Sequence, residues 1–197
     1  MADAEDDLRS SWRAGDFDGT TTLALERYGP EILGVLAARL RSDSDAAEAF
    51  SLFAEDLWRG VPGFQWRCSL RAWAHRIARN AATRWATSGS RRAERNVPLS
   101  QVQELAERIK TTTLVYVKTE VKSEVRRLRE ELPEIDQALL ILRVDKNMEW
   151  REIAAALADD DLPDDELTRE AARLRKRFQL ATEKLRELAR ERGILDR

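Results

Sequence analysis

The sequence has little of what several chemistries require. A single cysteine, Cys68, stands in 197 residues, which excludes an internal disulfide framework and a cysteine-rich zinc site. A single histidine, His75, leaves metal-dependent hydrolysis and histidine-based catalysis with almost no material. Glycine (8) and proline (5) are scarce, below the usage of sandwiches, barrels or collagen-like chains, and this favours helices. No apolar run approaches the roughly 20 residues of a membrane span. The acidic start, Met1 to Asp7, lacks the positive segment and apolar stretch of a secretion signal, so a soluble, cytoplasmic protein is expected. Neither sign of charge dominates: 34 Lys and Arg against 36 Asp and Glu give a net charge of −2. Nothing assembles a nucleophile, a base and a metal, so no enzymatic activity, cofactor or metal site is expected.

The near-zero net charge hides a segregation along the chain. Residues 1–65 carry 13 acids and 6 bases, whereas residues 66–95 carry 8 bases against Glu94 alone. Residues 96–158 nearly balance, with 10 bases and 11 acids. Residues 159–166 hold 6 acids and no base, and 168–192 hold 9 bases and 4 acids. Two basic segments, each beside an acidic one, are two places where phosphate could be met, or two solvated helical faces. The acid run lacks the spacing of a calcium loop, and acids near a helix N-terminus are favoured by the dipole alone.

Periodicity is helical nearly everywhere, with no convincing strand pattern and no repeat. Leu23, Leu25 and Tyr28 precede an expected break at Gly29-Pro30, after which Ile32, Leu33, Val35, Leu36 and Leu40 form a second stripe. Asp43 or Ser44 can cap a helix carrying Ala46, Ala49, Phe50, Phe53, Leu57 and Trp58, ended by Gly60-Val61-Pro62-Gly63. Ser69 caps the next helix, with Leu70, Trp73, Ala74, Ile77, Ala78, Ala81 and Trp85 on its apolar face. Ala72, His75, Arg76, Arg79 and Thr83 are placed opposite, towards solvent, with Asn80 on the flank and Arg84 towards the apolar side. Thr87-Ser88-Gly89-Ser90 closes a first domain, 1–95, and Arg91–Pro98 begins a linker, 96–117. Ser100 and Gln103 form a capping-box pattern, and the β-branched run Thr111–Thr113 makes the continuity of the linker helix doubtful.

In the second domain, 118–197, Val121, Val125, Leu128 and Leu132 resume the period until Pro133 forces a boundary. Leu167, Ala171, Leu174, Phe178, Ala181, Leu185 and Leu188 alternate spacings of four and three and form one inward seam. Arg169, Arg173 and Lys176 lie roughly opposite it. A short helix over Glu149–Leu157 precedes this long basic helix across a polar turn. That is helix-turn-helix geometry, in which the second helix enters the major groove. The expected class is all-α: two small helical domains and a partly helical linker.

Arg71-Ala72-Trp73-Ala74-His75-Arg76-Ile77-Ala78-Arg79-Asn80 resembles the "R-x-W-L-x-R-I-A-R-N" signature of extracytoplasmic-function (ECF, group IV) sigma factors. Leu132-Pro133-Glu134 with Ala138–Arg143 is similar to the opening of their region 4, Glu152-Ile153-Ala154 to its "E-I-A", and Ala181–Arg186 to its "A-R-E-K-L-R" ending. The resemblance runs through nearly the whole chain in the family's order. It implies a region 2 bundle and a region 4 helix-turn-helix, joined in a subunit that gives bacterial RNA polymerase its promoter specificity.

The implied partners are core polymerase (clamp and flap), promoter DNA and an anti-sigma factor or similar regulator. The implied minus-ten residues are Phe64, Trp66, Arg67, Arg76, Arg79 and Asn80, with residues 64–67 in the loop that grips an extruded base. For Trp66, base contact and packing both stand open; Trp73 and Trp85 are read as core. The implied minus-thirty-five residues are Arg169, Arg173, Lys176 and Arg177. Asp45, Glu48 and Leu52 are implied to touch polymerase, although the segment Asp45–Phe53 lacks the family's Gln-Glu pair. Glu149 stands where a serine cap is usual, with Asn147 a possible substitute. Pro163 is a possible first-turn residue of a lengthened recognition helix over 164–192. The alternative is a stand-alone helix-turn-helix regulator binding duplex DNA through its C-terminal domain.

Overall fold

The computed structural model describes residues 5–88, 101–119 and 124–194. Among these residues the fold is all-α, with no strand. Two compact units divide the chain, Met1–Tyr116 and Val117–Arg197.

The first unit is built from α1 (Asp6–Arg13), α2 (Phe17–Leu40), α3 (Asp43–Gly60), a 3₁₀ turn (Val61–Gly63), α4 (Leu70–Ser88) and most of α5 (Gln101–Thr119). Ser42 caps α3, its hydroxyl accepting the Asp45 N–H at 3.2 Å, one residue before the expected caps. Helices α2, α3 and α4 pack mutually. Between them lie Leu25, Ile32, Leu33, Leu36, Phe50, Phe53, Leu57 and Leu70, all fully buried.

Two expected interruptions do not occur. Helix α2 runs through Gly29-Pro30 without a break. An internal proline costs about 3 kcal/mol, but Ala24, Leu25, Tyr28, Ile32, Leu33 and Leu36 form one buried face across it. Each large apolar side chain buried there returns about 1.5–3 kcal/mol, so packing outweighs the local defect. The neighbouring glycine serves that packing: a Cβ on Gly29 would sit 2.9 Å from Ile109 Cδ1 and 3.3 Å from Phe50 Cζ. Helix α5 likewise continues through Thr111–Thr113. The Thr111 and Thr112 hydroxyls donate to the carbonyls of Glu107 and Arg108 at 2.9 and 3.0 Å, and Leu105, Ala106 and Ile109 are buried. The start of the helix read as linker therefore belongs to the core of the first unit. The capping box at Ser100 and the segment 91–98 lie outside the described residues.

The second unit holds α6 (Glu124–Arg129), α7 (Glu134–Leu140), a π-turn (Ile141–Asp145), α8 (Trp150–Leu157) and α9 (Asp164–Glu191). Its core gathers Leu128, Leu139, Leu142, Met148, Ile153, Ala154, Leu174 and Ala181. The seam read along α9 faces this core: Leu167, Ala171, Leu174 and Ala181 are buried, and Phe178 meets Trp150 edge-on at 5.3 Å. The side chains of Val121 and Val125 lie outside the described residues. Glu149 itself is the N-cap of α8, and its N–H donates to Glu152 Oε2 at 3.1 Å. Asn147 instead takes a left-handed backbone, φ 49°, as short polar residues tolerate. Pro163 is the N-cap of α9 rather than its first-turn residue, and its carbonyl accepts from Leu167 N–H at 2.8 Å.

Candidate nucleic-acid interface

Helix α4 is alanine-rich, with Ala72, Ala74, Ala78, Ala81 and Ala82 all buried. Small side chains let neighbours approach closely, and α4 packs against both α3 and α2. A helix covered on two sides has no broad polar face left. This corrects the outward placement of Ala72, His75 and Arg76. Ala72 is fully buried, His75 is 5% exposed and Arg76 is 7% exposed. His75 Nε2 lies 2.7 Å from Glu31 Oε1. Arg71 donates to the same carboxylate through Nε at 3.1 Å and Nη2 at 2.9 Å. Burial pushes the Glu31 carboxyl up, but the hydrogen bonds and charges of His75 and Arg71 outweigh it and hold its pKa below the usual value.

The basic count of 66–95 therefore shrinks in three dimensions. Arg71 is spent on Glu31, Arg84 pairs with Asp56, and Arg76 is interior. Arg91, Arg92 and Arg95 lie outside the described residues. Arg67 and Asn80 are exposed, and Arg79 is half-buried. The charge-segment count missed a contributor from another element. Arg39, on α2, donates to the Arg79 carbonyl at 3.0 Å and to Thr83 Oγ1 at 3.1 Å. It brings a guanidinium to the end of α4 that carries Arg79, Asn80 and Thr83. No local signal pointed to this, since Arg39 sits between Leu36 and Leu40 of the α2 stripe.

The loop before α4 is an aromatic cluster. Phe64 is buried, stacked on Trp73 at 4.6 Å and tilted against Trp66 at 5.0 Å. Phe64 is thus a packing residue rather than an open face for a base. Trp73 stays half-buried, and a Cβ on Gly60 would lie 2.9 Å from its ring. Trp66 is half-buried and adopts a left-handed backbone, φ 56°, which is strained for a bulky residue. Arg9 lies over its ring at 4.6 Å, and Trp12 meets it edge-on at 6.2 Å.

On α3, Asp45 Oδ1 accepts the Trp85 indole N–H at 3.1 Å. The Asp45 carboxylate thus ties α4 to α3, and Trp85 is half-buried rather than full core. Glu48 and Leu52 follow it at spacings of three and four and are also half-buried.

In the second unit, Arg169, Arg173 and Lys176 are exposed on α9. Arg169 pairs with Asp165 at 2.8 Å and Arg173 with Glu170 at 3.0 Å, both within the helix. Such exposed pairs contribute little and open easily. Arg177 differs: its Nε pairs with Asp136, a mostly covered carboxylate on α7. It fastens α7 to α9. Leu180 continues the stripe at 60% exposure.

Among the described residues no cluster of His, Cys, Asp and Glu could hold a metal ion, and no helix is long and apolar enough to cross a membrane. No curated protein and no solved structure matches the chain. Residues 24–92 match the family model of sigma-70 region 2. The matched span covers most of α2, all of α3, the aromatic loop and α4. The match makes about a third of the chain similar to sigma-70 region 2, and the helical architecture of α2–α4 agrees with it.

Proposed function

We propose that this chain is an alternative, ECF-type sigma factor, a dissociable subunit that brings bacterial core polymerase to a particular class of promoters. It acts by binding, in the cytoplasm, without a cofactor. The observation that carries this reading is the coincidence of the region 2 match with α2–α4, where Arg39, Arg79, Asn80 and Thr83 gather well along α4 and a loop of stacked aromatics precedes its start. Strand melting needs cations for phosphate and aromatic faces for unstacked bases.

In this reading Trp66, Arg67, Arg79 and Asn80, joined by Arg39, meet the melted minus-ten strand, while Phe64 and Arg76 hold the module together from inside. Glu48 and Leu52 offer the surface for the polymerase clamp, and Asp45 fixes the end of α4. Residues 118–197 act as region 4. There α8 and α9 form the helix-turn-helix, and Arg169, Arg173 and Lys176 read the minus-thirty-five element in the major groove. An anti-sigma factor or similar regulator is a further proposed partner.

The test is reconstitution. Full-length protein is added to sigma-free core polymerase, and transcripts are mapped from a genomic promoter library. Initiation from a defined promoter class that depends on the added chain is expected. Tight duplex binding by the chain alone, with no core association, would replace this reading with a stand-alone regulator.

A further inference from the structure

Helix α1 and its N-cap residue Glu5 lie before the span that matches region 2, yet they touch the aromatic loop at three points. At the loop's entry, the Trp12 indole donates to the Val61 carbonyl at 2.8 Å. At its tip, Arg9 covers the Trp66 ring and Trp12 abuts its edge. At its exit, the buried Glu5 carboxylate accepts the N–H groups of Leu70 and Arg71, each at 2.8 Å. The Tyr28 hydroxyl donates to Glu5 at 2.8 Å and locks that carboxylate in place. The first amides of α4 are thus capped from a distant element, a position where an anion is favoured.

We propose that α1 is a brace for the base-holding loop, and that Arg9 is a positioning residue that sets the plane of Trp66 for an unstacked minus-ten base. A left-handed tryptophan persists only where its surroundings over-determine it. Within its own loop, Trp66 has Phe64 as its aromatic neighbour. Further constraints come from α1 and its N-cap Glu5, which contact the entry, tip and exit. The guanidinium over the indole also places positive charge beside the ring on which a base would stack. The inference rests on the proposed base-holding role of residues 64–67.

The experiment uses full-length protein bound to core polymerase and single-stranded oligonucleotides randomised across the minus-ten non-template segment. Base preferences are read for wild type, Trp66→Ala, Arg9→Ala, Arg9→Lys and Trp12→Phe. Core affinity and urea stability are measured alongside. Trp66→Ala is expected to erase preference at one base position. Arg9→Ala is expected to weaken the same position about five- to tenfold, leaving core affinity unchanged, with Arg9→Lys recovering part of it. Trp12→Phe keeps a ring but deletes the bond to Val61, and it supplies the same readout should Arg9→Ala fail to fold. Loss with Trp66→Ala but wild-type preferences in both Arg9→Ala and Trp12→Phe would overturn the brace and leave the loop's role standing. Unchanged preferences in Trp66→Ala would remove the base-holding role and the brace with it.

Discussion

Helices α4 and α9 both come from strongly basic stretches, and their charges meet different fates. Helix α4 lies between two neighbours, so its arginines face other residues of the same unit: Arg71 meets Glu31, Arg84 meets Asp56, and Arg76 is enclosed. Helix α9 buries one seam and leaves Arg169, Arg173 and Lys176 in solvent. Charge density along a sequence therefore measures a binding surface only where one face of the helix is covered. Where two are covered, the same arginines become structural, and the surface cations must be recruited elsewhere, as Arg39 is from α2.

The comparison breaks most sharply at Glu31. Glu31 and Arg71 are partly covered and His75 is buried, and removing the shared carboxylate leaves their hydrogen bonds unmade, at a cost of about 1–3 kcal/mol. Glu31→Ala is expected to lower the unfolding free energy of the first unit by that order, as read from urea melts. Arg169→Ala, which opens an exposed pair on α9, should shift stability by less than about 0.5 kcal/mol. Equal effects would mean that the two basic helices are not differently employed.

Acid titration sharpens the same point. The Glu31 pKa is held below its ordinary value of 4.5 in the folded chain. A carboxyl with a depressed folded pKa adds stability that is present above the unfolded value and is lost as pH falls through the folded one. Unfolding free energy should therefore drop below about pH 4.5. Glu31→Gln should flatten that drop while starting from a lower plateau, as followed by denaturant melts between about pH 6 and 3. An unaltered slope in Glu31→Gln would place the acid sensitivity on other carboxylates.

Arg76 and Arg79 share a helix and a charge but differ in cover. Arg76→Ala should cost about 1–3 kcal/mol of stability, because it orphans groups in an enclosed site. Arg79→Ala should leave stability within about 0.5 kcal/mol and reduce promoter opening, as measured by permanganate reactivity of the melted strand. The reverse pattern would return Arg76 to the DNA surface.

The smallest effects on stability belong to α9, whose substitutions act on base preference instead. Arginine can pair with a guanine edge, at about 1–3 kcal/mol of discrimination per good pair, while lysine supplies sequence-blind phosphate attraction. Arg173→Ala should change which minus-thirty-five sequences a randomised library yields. Lys176→Ala should weaken all of them about equally and reduce the salt slope by about 1. An unchanged preferred sequence in Arg173→Ala would move the reading edge elsewhere on the helix.

The sequence by itself determined the helical class, the inward seam of α9, the end of α3 at Gly60 and the boundary at Pro133. These follow from periodicity and from residues whose backbone preferences act locally. The same local rules placed Arg169, Arg173 and Lys176 on an open face, because a single seam leaves the rest of a helix to solvent. Tertiary structure decided the remainder. Helix α2 passes Pro30 because the buried face on both sides outweighs one defect. Helix α5 joins the first unit because Ile109 fits against Gly29. Arg76 and His75 turn inward because α4 has two neighbours, which a one-face reading of its periodicity cannot register. Glu5 caps a helix 65 residues away, and Arg39 joins Arg79 from 40 residues away. Local periodicity carries no information about such pairs, since their energy exists only once the chain has closed on itself.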